Sequence, residues 1–257
     1  TEIQKIISDK EIILLEDNCE SLGAEFEAKK AGTFGQVGTY STFFSHHIST
    51  MEGGLVTTDD SELYEIMISL RAHGWTRNLP KNDIMNSKKS DIDFDELFRF
   101  ILPGYNLRPL EMSGAIGQEQ LKKLPTFISQ RRKNAKLFQE VLEKNVYIKL
   151  QKEIGKSSWF GFSLTMKEPK ILSREKFRNV LIKNGFEVRP VVTGNFTKQP
   201  VIKMLNADTS GRFPNADYLD KHSLFIGNHH YNIEKAIDIV KPDEFYNLAA
   251  QSFVSLS

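Results

Sequence analysis

Two adjacent histidines stand in the segment STFFSHHISTMEGG, which covers residues 41–54. An imidazole titrates close to neutral pH, so His46 or His47 could act as a general acid or base. A metal site would need a third ligand at a defined spacing, and adjacent residues of an extended segment point to opposite faces. The pattern therefore favours acid–base chemistry, and the sequence predicts no metal site.

Asp17 and Ser41 are the nearest other side chains that could do chemistry. Asp17 directly follows EIILLE (11–16), an apolar run that is typical of a buried strand. Open α/β sheets bind ligands at the carboxyl ends of their strands, so this carboxylate is a candidate functional acid, a helix cap or a solvated loop residue. Ser41 lies in a second predicted strand, TYSTFF (39–44), where a serine by itself indicates a hydroxyl bonded to the backbone.

The elements that must position these residues alternate between strands and helices. In the first half we predict a strand at 54–58, a helix at 61–72, a long irregular segment at 77–97, and helices at 109–124 and 127–144 separated by Pro125. In the second half we predict strands at 159–165, 186–192 and 223–226, with helices at 173–183 and 232–241. We place a domain boundary near residue 125, between an α/β part and a smaller α+β part.

Composition excludes several classes of protein. The net charge is +1, from 34 basic and 33 acidic residues, so the large positive field of a nucleic-acid-binding protein is absent. No apolar stretch approaches the ~20 residues of a membrane span. The single cysteine, Cys19, excludes an internal disulfide and a cysteine-rich zinc or iron–sulfur site. A cytoplasmic location is predicted.

Taken together, the motifs resemble those of the DegT/StrS-type sugar aminotransferases, which depend on pyridoxal phosphate. The matching residues are Asp17-Asn18-x-Glu20, Ser41, the histidine pair with ISTMEGG at 48–54, and GYNLR at 104–108. The resemblance implies the aspartate aminotransferase-like fold (fold type I). Residues 1–125 would form the C-terminal part of the cofactor-binding large domain, and 126–257 the small C-terminal domain.

The most informative feature is a departure from the family pattern. The aminotransferases bind their cofactor covalently through a lysine eight residues before the second glycine of the turn, and here that position is His46. Histidine forms no stable imine, so the resemblance is to relatives that remove the sugar 3-hydroxyl. It implies pyridoxal or pyridoxamine 5′-phosphate as cofactor and a nucleotide-linked 4-keto-6-deoxy sugar as substrate, with GDP-4-keto-6-deoxymannose predicted. A sister group carries an iron–sulfur cluster, which a chain with one cysteine cannot hold.

The resemblance also implies individual roles. His46 would be the catalytic base. The implied cofactor contacts are Asp17 at the pyridine nitrogen, Glu20 beside the ring, Ser41 at the phosphate, and Asn106 at the phosphate of a neighbouring subunit. The implied contacts of substrate or amino donor are His73, Arg77 and Arg108, although Arg77 could instead be a cation at a helix end.

The implied partners are L-glutamate as amino donor and a second copy of the chain in a homodimer with shared active sites. Two alternatives stay open: an aminotransferase that uses another lysine, and an inactive family member that serves as a binding module. The chain starts with Thr1 and soon enters an apolar run, so we expect a partial copy with an incomplete cofactor pocket.

Overall fold

The computed structural model describes residues 1–83, 85, 88–143 and 145–233. The chain divides into two compact units, Thr1–Lys122 and Lys123–Ser257. The division falls within one long helix, and the assignment of 1–125 and 126–257 to domains of a larger fold stays a prediction. Among the described residues, no helix is both long and apolar enough to cross a membrane.

The first unit contains a three-stranded sheet and a two-stranded ribbon. Its elements are α1 (Glu2–Ile7), β1 (Leu15–Asp17), β2 (Glu25–Phe26), β3 (Lys29–Lys30), β4 (Val37–Ser41), β5 (Gly54–Thr57), α2 (Ser61–Leu70), α3 (Asp93–Glu96) and the first part of α4 (Glu111–Glu143). The sheet has the order β1–β4–β5, with β1 parallel to β4 and β4 antiparallel to β5. The carboxyl ends of β1 and β4 therefore lie at the same edge of the sheet.

The strand that the sequence predicted at 11–16 is short and exposed. Only Leu15–Asp17 pairs with β4, because β4 begins at Val37, opposite Leu15. Ile13 and Leu15 are 66% and 65% exposed, so the prediction of a buried strand is wrong for this structure. Apolar composition indicates a strand but does not supply the neighbouring elements that would cover it.

The segment after α2 is largely irregular in its described residues, as predicted for 77–97, and it contains the single turn α3. Glu96 organises it, because its carboxylate accepts the hydroxyl of Thr76 at 2.7 Å and the backbone N–H of Ser90 at 2.6 Å. These bonds favour the charged form and hold the pKa of Glu96 below its ordinary value.

The helices predicted at 109–124 and 127–144 are a single helix, α4, with Pro125 inside it. A proline in a helix interior removes one backbone hydrogen bond and costs about 3 kcal/mol. The half after the proline offsets this cost by packing, since Ile128, Ala135, Phe138 and Leu142 are all buried on one face. The prediction of a break at Pro125 was wrong because it counted only the local penalty.

The second unit is an antiparallel sheet with helices against it. Its elements after α4 are β6 (Ile148–Leu150), β7 (Gly161–Met166), α5 (Arg174–Lys183), β8 (Val188–Arg189), two 3₁₀ turns (Phe196–Lys198 and Pro200–Met204), α6 (Pro214–His222) and β9 (Ser223–Gly227). The sheet order is β6–β7–β9–β8. Its core joins the sheet to α4 and α5, with the rings of Phe138 and Phe162 stacked 4.2 Å apart.

Most elements predicted for the second unit are found. The helix predicted at 173–183 is α5, capped by Ser173, whose hydroxyl accepts the N–H of Lys176. The strand predicted at 186–192 is only β8, because Pro190 follows it and has no N–H to donate to a sheet. The sequence missed β6 and α6. The final predicted helix, 232–241, lies outside the described residues from position 234 onwards.

Candidate active site

Asp17 is the last residue of β1, at the carboxyl edge of the sheet. Its Oδ1 accepts the backbone N–H of Cys19 at 3.1 Å. Hydrogen bonds from the thiol and the backbone N–H of Cys19 hold the pKa of Asp17 below its ordinary value. The same carboxylate raises the pKa of the Cys19 thiol to about 11. Near neutral pH the pair is therefore a carboxylate beside a protonated thiol.

The turn after Asp17 is fixed by Asn18, which is buried. Its backbone N–H donates to the carbonyl of Thr39 at 2.8 Å, and its side chain donates to Glu16 and accepts from Ser21. Glu20 lies exposed in this turn. The motif Asp-Asn-x-Glu therefore combines a structural asparagine with two outward-facing carboxylates.

Ser41 ends β4 and lies on the same face of the sheet as Asp17. The register places Asp17 opposite Thr39, and Ser41 follows two residues later, so the three side chains share one face. The hydroxyl of Ser41 accepts the backbone N–H of Phe43 at 3.2 Å. The backbone-bonded serine expected from the sequence is found, at the same sheet edge as Asp17.

His46 lies in a closed loop between β4 and β5. The loop is shut by hydrogen bonds between the hydroxyls of Thr42 and Thr50 at 2.7 Å and from the N–H of Thr42 to Gly53. His46 is half-buried, with its ring centroid 6.0 Å from that of Phe43, whereas His47 is 2% exposed. The two histidines therefore differ in environment: His47 belongs to the interior, and His46 is the one that a ligand could reach.

A second group of predicted residues is brought together by the chain after α2. His73 adopts a positive φ of 64°, and its backbone N–H donates to the carbonyl of Tyr105 at 2.8 Å. Ala72 and Asn106 form an isolated β-bridge. Gly74, which follows His73, has φ 84°. A Cβ there would overlap the carbonyl of Leu102, so only glycine fits. His73 and Asn106 thus become neighbours through backbone contacts.

Trp75 is the centre of this group. The guanidinium carbon of Arg77 lies 4.3 Å from the indole centroid, that of Arg108 lies 5.7 Å from it, and the ring of His73 is 4.9 Å away. Arg77 also donates to the carbonyl of Leu97 at 2.7 Å. Its contacts are thus with an aromatic ring and a loop carbonyl, seven residues past the end of α2, rather than with a helix end. Sequence reasoning missed Trp75, although it stands between His73 and Arg77 in RAHGWTR.

The segment Asn228–Tyr231 of the second unit, which received no role from the sequence, is held by buried polar side chains. Asn134 donates to the carbonyls of His229 and Tyr231, both at 2.8 Å. Arg131 is 2% exposed and donates to the carbonyls of Phe160 and Asn228, and burial lowers its pKa to about 10. Such a network defines one backbone conformation for this segment.

Burial, with His230 and Arg131 nearby, lowers the pKa of His229 to about 4. Its ordinary value is about 6.5, so between pH 6.5 and 4 the unfolded chain binds more protons than the folded one. We expect the free energy of unfolding to fall as the pH is lowered from about 6.5 to about 4. The loss should be about 1–2 kcal/mol, because the ring is only partly buried. His229→Phe, which keeps a ring against Tyr231, should flatten this loss in urea titrations at pH 7 and 4.5. An unchanged pH dependence would exclude His229 as its source.

The chain is similar to known proteins, both to a family and to individual relatives. A model of the DegT/DnrJ/EryC1/StrS aminotransferase family matches residues 1–241, and the chain belongs to this family. The GDP-4-keto-6-deoxy-D-mannose 3-dehydratase of Yersinia pseudotuberculosis is 55% identical over 236 residues, which cover 91% of this chain and 60% of that protein. The chain therefore spans about 60% of the length of this relative.

Two solved structures are similarly close. An Escherichia coli GDP-4-keto-6-deoxy-D-mannose-3-dehydratase with bound hydrated pyridoxal phosphate has a TM-score of 0.89 and 55% identity, over 93% of this chain and 61% of that one. A GDP-4-keto-6-deoxymannose-3-dehydratase with a trapped pyridoxal phosphate–glutamate geminal diamine has a TM-score of 0.89 and 54% identity, over 93% and 62%. The predicted family and the partial aminotransferase-like fold are confirmed.

Proposed function

We propose that this chain is the part of a nucleotide-sugar 3-dehydratase that carries the catalytic base. The enzyme removes the 3-hydroxyl of a nucleotide-linked 4-keto-6-deoxy sugar, with GDP-4-keto-6-deoxymannose as the proposed substrate and L-glutamate as amino donor. The observation that carries this proposal is His46, which replaces the family's cofactor-binding lysine while Asp17 and Ser41 are kept at the sheet edge. The similarity to named 3-dehydratases supports it.

The residues of the sheet edge fit pyridoxal or pyridoxamine 5′-phosphate. Asp17 is ionised, as a partner for a protonated pyridine nitrogen must be. Ser41 offers a hydroxyl to the phosphate, and Glu20 lies in the turn that Asn18 fixes. When bound, the cofactor supplies a ring that accepts an electron pair, and Asp17 stabilises that charge by keeping the nitrogen protonated.

His46 moves the protons in this proposal. Its imidazole would be the group that accepts a proton from the C4′ position of a bound cofactor and that donates a proton to the departing 3-hydroxyl of the sugar. Both roles suit a group that titrates near neutral pH. Its half-buried position in the loop closed by Thr42 and Thr50 would hold the ring in place between the two transfers.

The Trp75 group binds the anionic parts of the reactants. Arg77 and Arg108 present planar guanidinium groups, which suit carboxylates and phosphates, and His73 lies beside the same indole. Asn106 and Arg108 would act in the site of a neighbouring subunit, in a two-fold homodimer. A cytoplasmic location, where nucleotide sugars are at hand, completes the proposal.

The function is tested with a chimaera that joins this chain to the part of the Yersinia relative that it does not match. We expect it to convert GDP-4-keto-6-deoxymannose, in the presence of pyridoxal phosphate and glutamate, into a 3-deoxy 4-keto sugar detectable by mass. CDP-linked sugar serves as the comparison for nucleotide choice. An amino sugar, or cofactor trapped covalently by borohydride, would indicate an aminotransferase instead. Failure to bind cofactor would indicate a binding module.

A further inference from the structure

Trp75 makes contact with three side chains to which substrate or donor roles are proposed, yet it has no role of its own in that scheme. We propose that Trp75 is a positioning residue, whose indole face holds the guanidinium groups of Arg77 and Arg108 together as one oxyanion-binding site. The two arginines lie 31 residues apart in the sequence, and the ring is their shared contact.

The two guanidinium groups at the indole have no carboxylate partner among the described residues. Neither Arg77 nor Arg108 forms a salt bridge with a carboxylate within the part of the chain that the structure describes, and both are exposed. Two like charges at one ring repel each other, and the negative face of the indole only partly offsets this repulsion. A bound anion would relieve it, because each guanidinium keeps N–H donors for which the described residues provide no acceptor.

The indole of Trp75 presents its aromatic face, rather than its N–H, to the two arginines. The indole Nε1 is buried without a hydrogen-bond partner in the described structure, so the N–H explains nothing about why a tryptophan stands here. Phe98 and Phe100 pack against the ring at 5.9 and 5.7 Å, and Trp75 forms a β-bridge with Phe100. The aromatic neighbours fix the plane on which the guanidinium groups rest.

The ligand class is an oxyanion, and its identity rests on the proposed function. A carboxylate of the amino donor and a phosphate of the nucleotide share the chemistry that two guanidinium groups recognise. A cavity of about 180 Å³ adjoins Arg77, and it is also lined by Lys81 and Lys89 together with Asp93 and Glu96. The carboxylate of Glu96 is already engaged by Thr76 and Ser90.

Isothermal titration of this chain without cofactor tests the proposal, using L-glutamate in one arm and inorganic pyrophosphate in the other. We expect one of the two to bind, and Trp75→Leu to weaken that binding at least tenfold. Trp75→Phe keeps an aromatic face and should stay within about threefold of the wild-type affinity. Lys30→Gln is the control, because it removes a charge of the β2–β3 ribbon that is paired with Glu25 and does not line this cavity, and it should change the affinity by less than twofold.

Equal affinity of the wild type and Trp75→Leu would overturn the proposal, as would failure of the wild type to bind either anion. If Trp75→Leu does not fold, as judged by circular dichroism, the single variants Arg77→Gln and Arg108→Gln decide. Each should lose at least tenfold, and unchanged binding in either would refute a shared site. Since no cofactor or sugar is present, these outcomes are independent of whether the chimaera removes a hydroxyl.

Discussion

His46→Asn is expected to slow the loss of the sugar 3-hydroxyl by about a thousandfold, within the 10²–10⁴ range of general acid–base catalysis. Asparagine matches the imidazole roughly in size and polarity but cannot take up or release a proton near neutral pH. Cofactor affinity should change by less than about threefold, because Asp17 and Ser41 make the proposed contacts with the ring and the phosphate. The measurement is product formation by mass in the chimaera, with cofactor binding followed by absorbance.

His46→Lys is the matched comparison, since it restores the residue that the aminotransferases have at this position. Its cofactor should become trappable by borohydride, whereas the wild-type cofactor should not. The two variants separate position from chemistry: asparagine removes the proton carrier, and lysine replaces it with an amine that can bond the cofactor. Normal turnover by His46→Asn would show that another group carries the protons.

Asn134→Ala is expected to lower the free energy of unfolding of the second unit by about 3 kcal/mol. Asn134 is completely buried, and its amide donates to the side chain of Asn228 and to the carbonyls of His229 and Tyr231. Each buried acceptor that loses its donor costs about 1–3 kcal/mol, reduced where the segment relaxes toward water. Urea unfolding of this chain, followed by the fluorescence of buried Trp159, gives the number.

Two further variants separate this network from ordinary packing. Asn134→Asp keeps the shape but turns the donor into an acceptor that faces carbonyls, so it should destabilise at least as much as alanine. Gln130→Ala removes a single bond, from Gln130 to the Asn134 side chain at 2.9 Å, and should cost no more than about 1 kcal/mol. A loss below 1 kcal/mol for Asn134→Ala would mean that the carbonyls find other donors.

Motifs and short spacings were sufficient to identify the family and the order of elements at the sheet edge. Asp17 was predicted directly after one strand and Ser41 within the next, at 39–44. The fold ends these strands at Asp17 and at Ser41, which leaves His46 in the loop that follows. The order of these residues could be predicted because strands, caps and turns depend on residues within a few positions of each other. The role of His46 stays a prediction that the substitution above tests.

Contacts between distant parts of the chain could be seen only in the folded molecule. The Trp75 group forms only where residues 72 and 106 meet. The hydrogen bond from Asn134 to the carbonyl of Tyr231 joins residues that are 97 positions apart in the sequence. The path of α4 through Pro125 was set by burial of its second half, which outweighs the local penalty of proline. Local pattern carries no information on such contacts, because their free energy arises only when the folded chain brings separate segments together and excludes water between them.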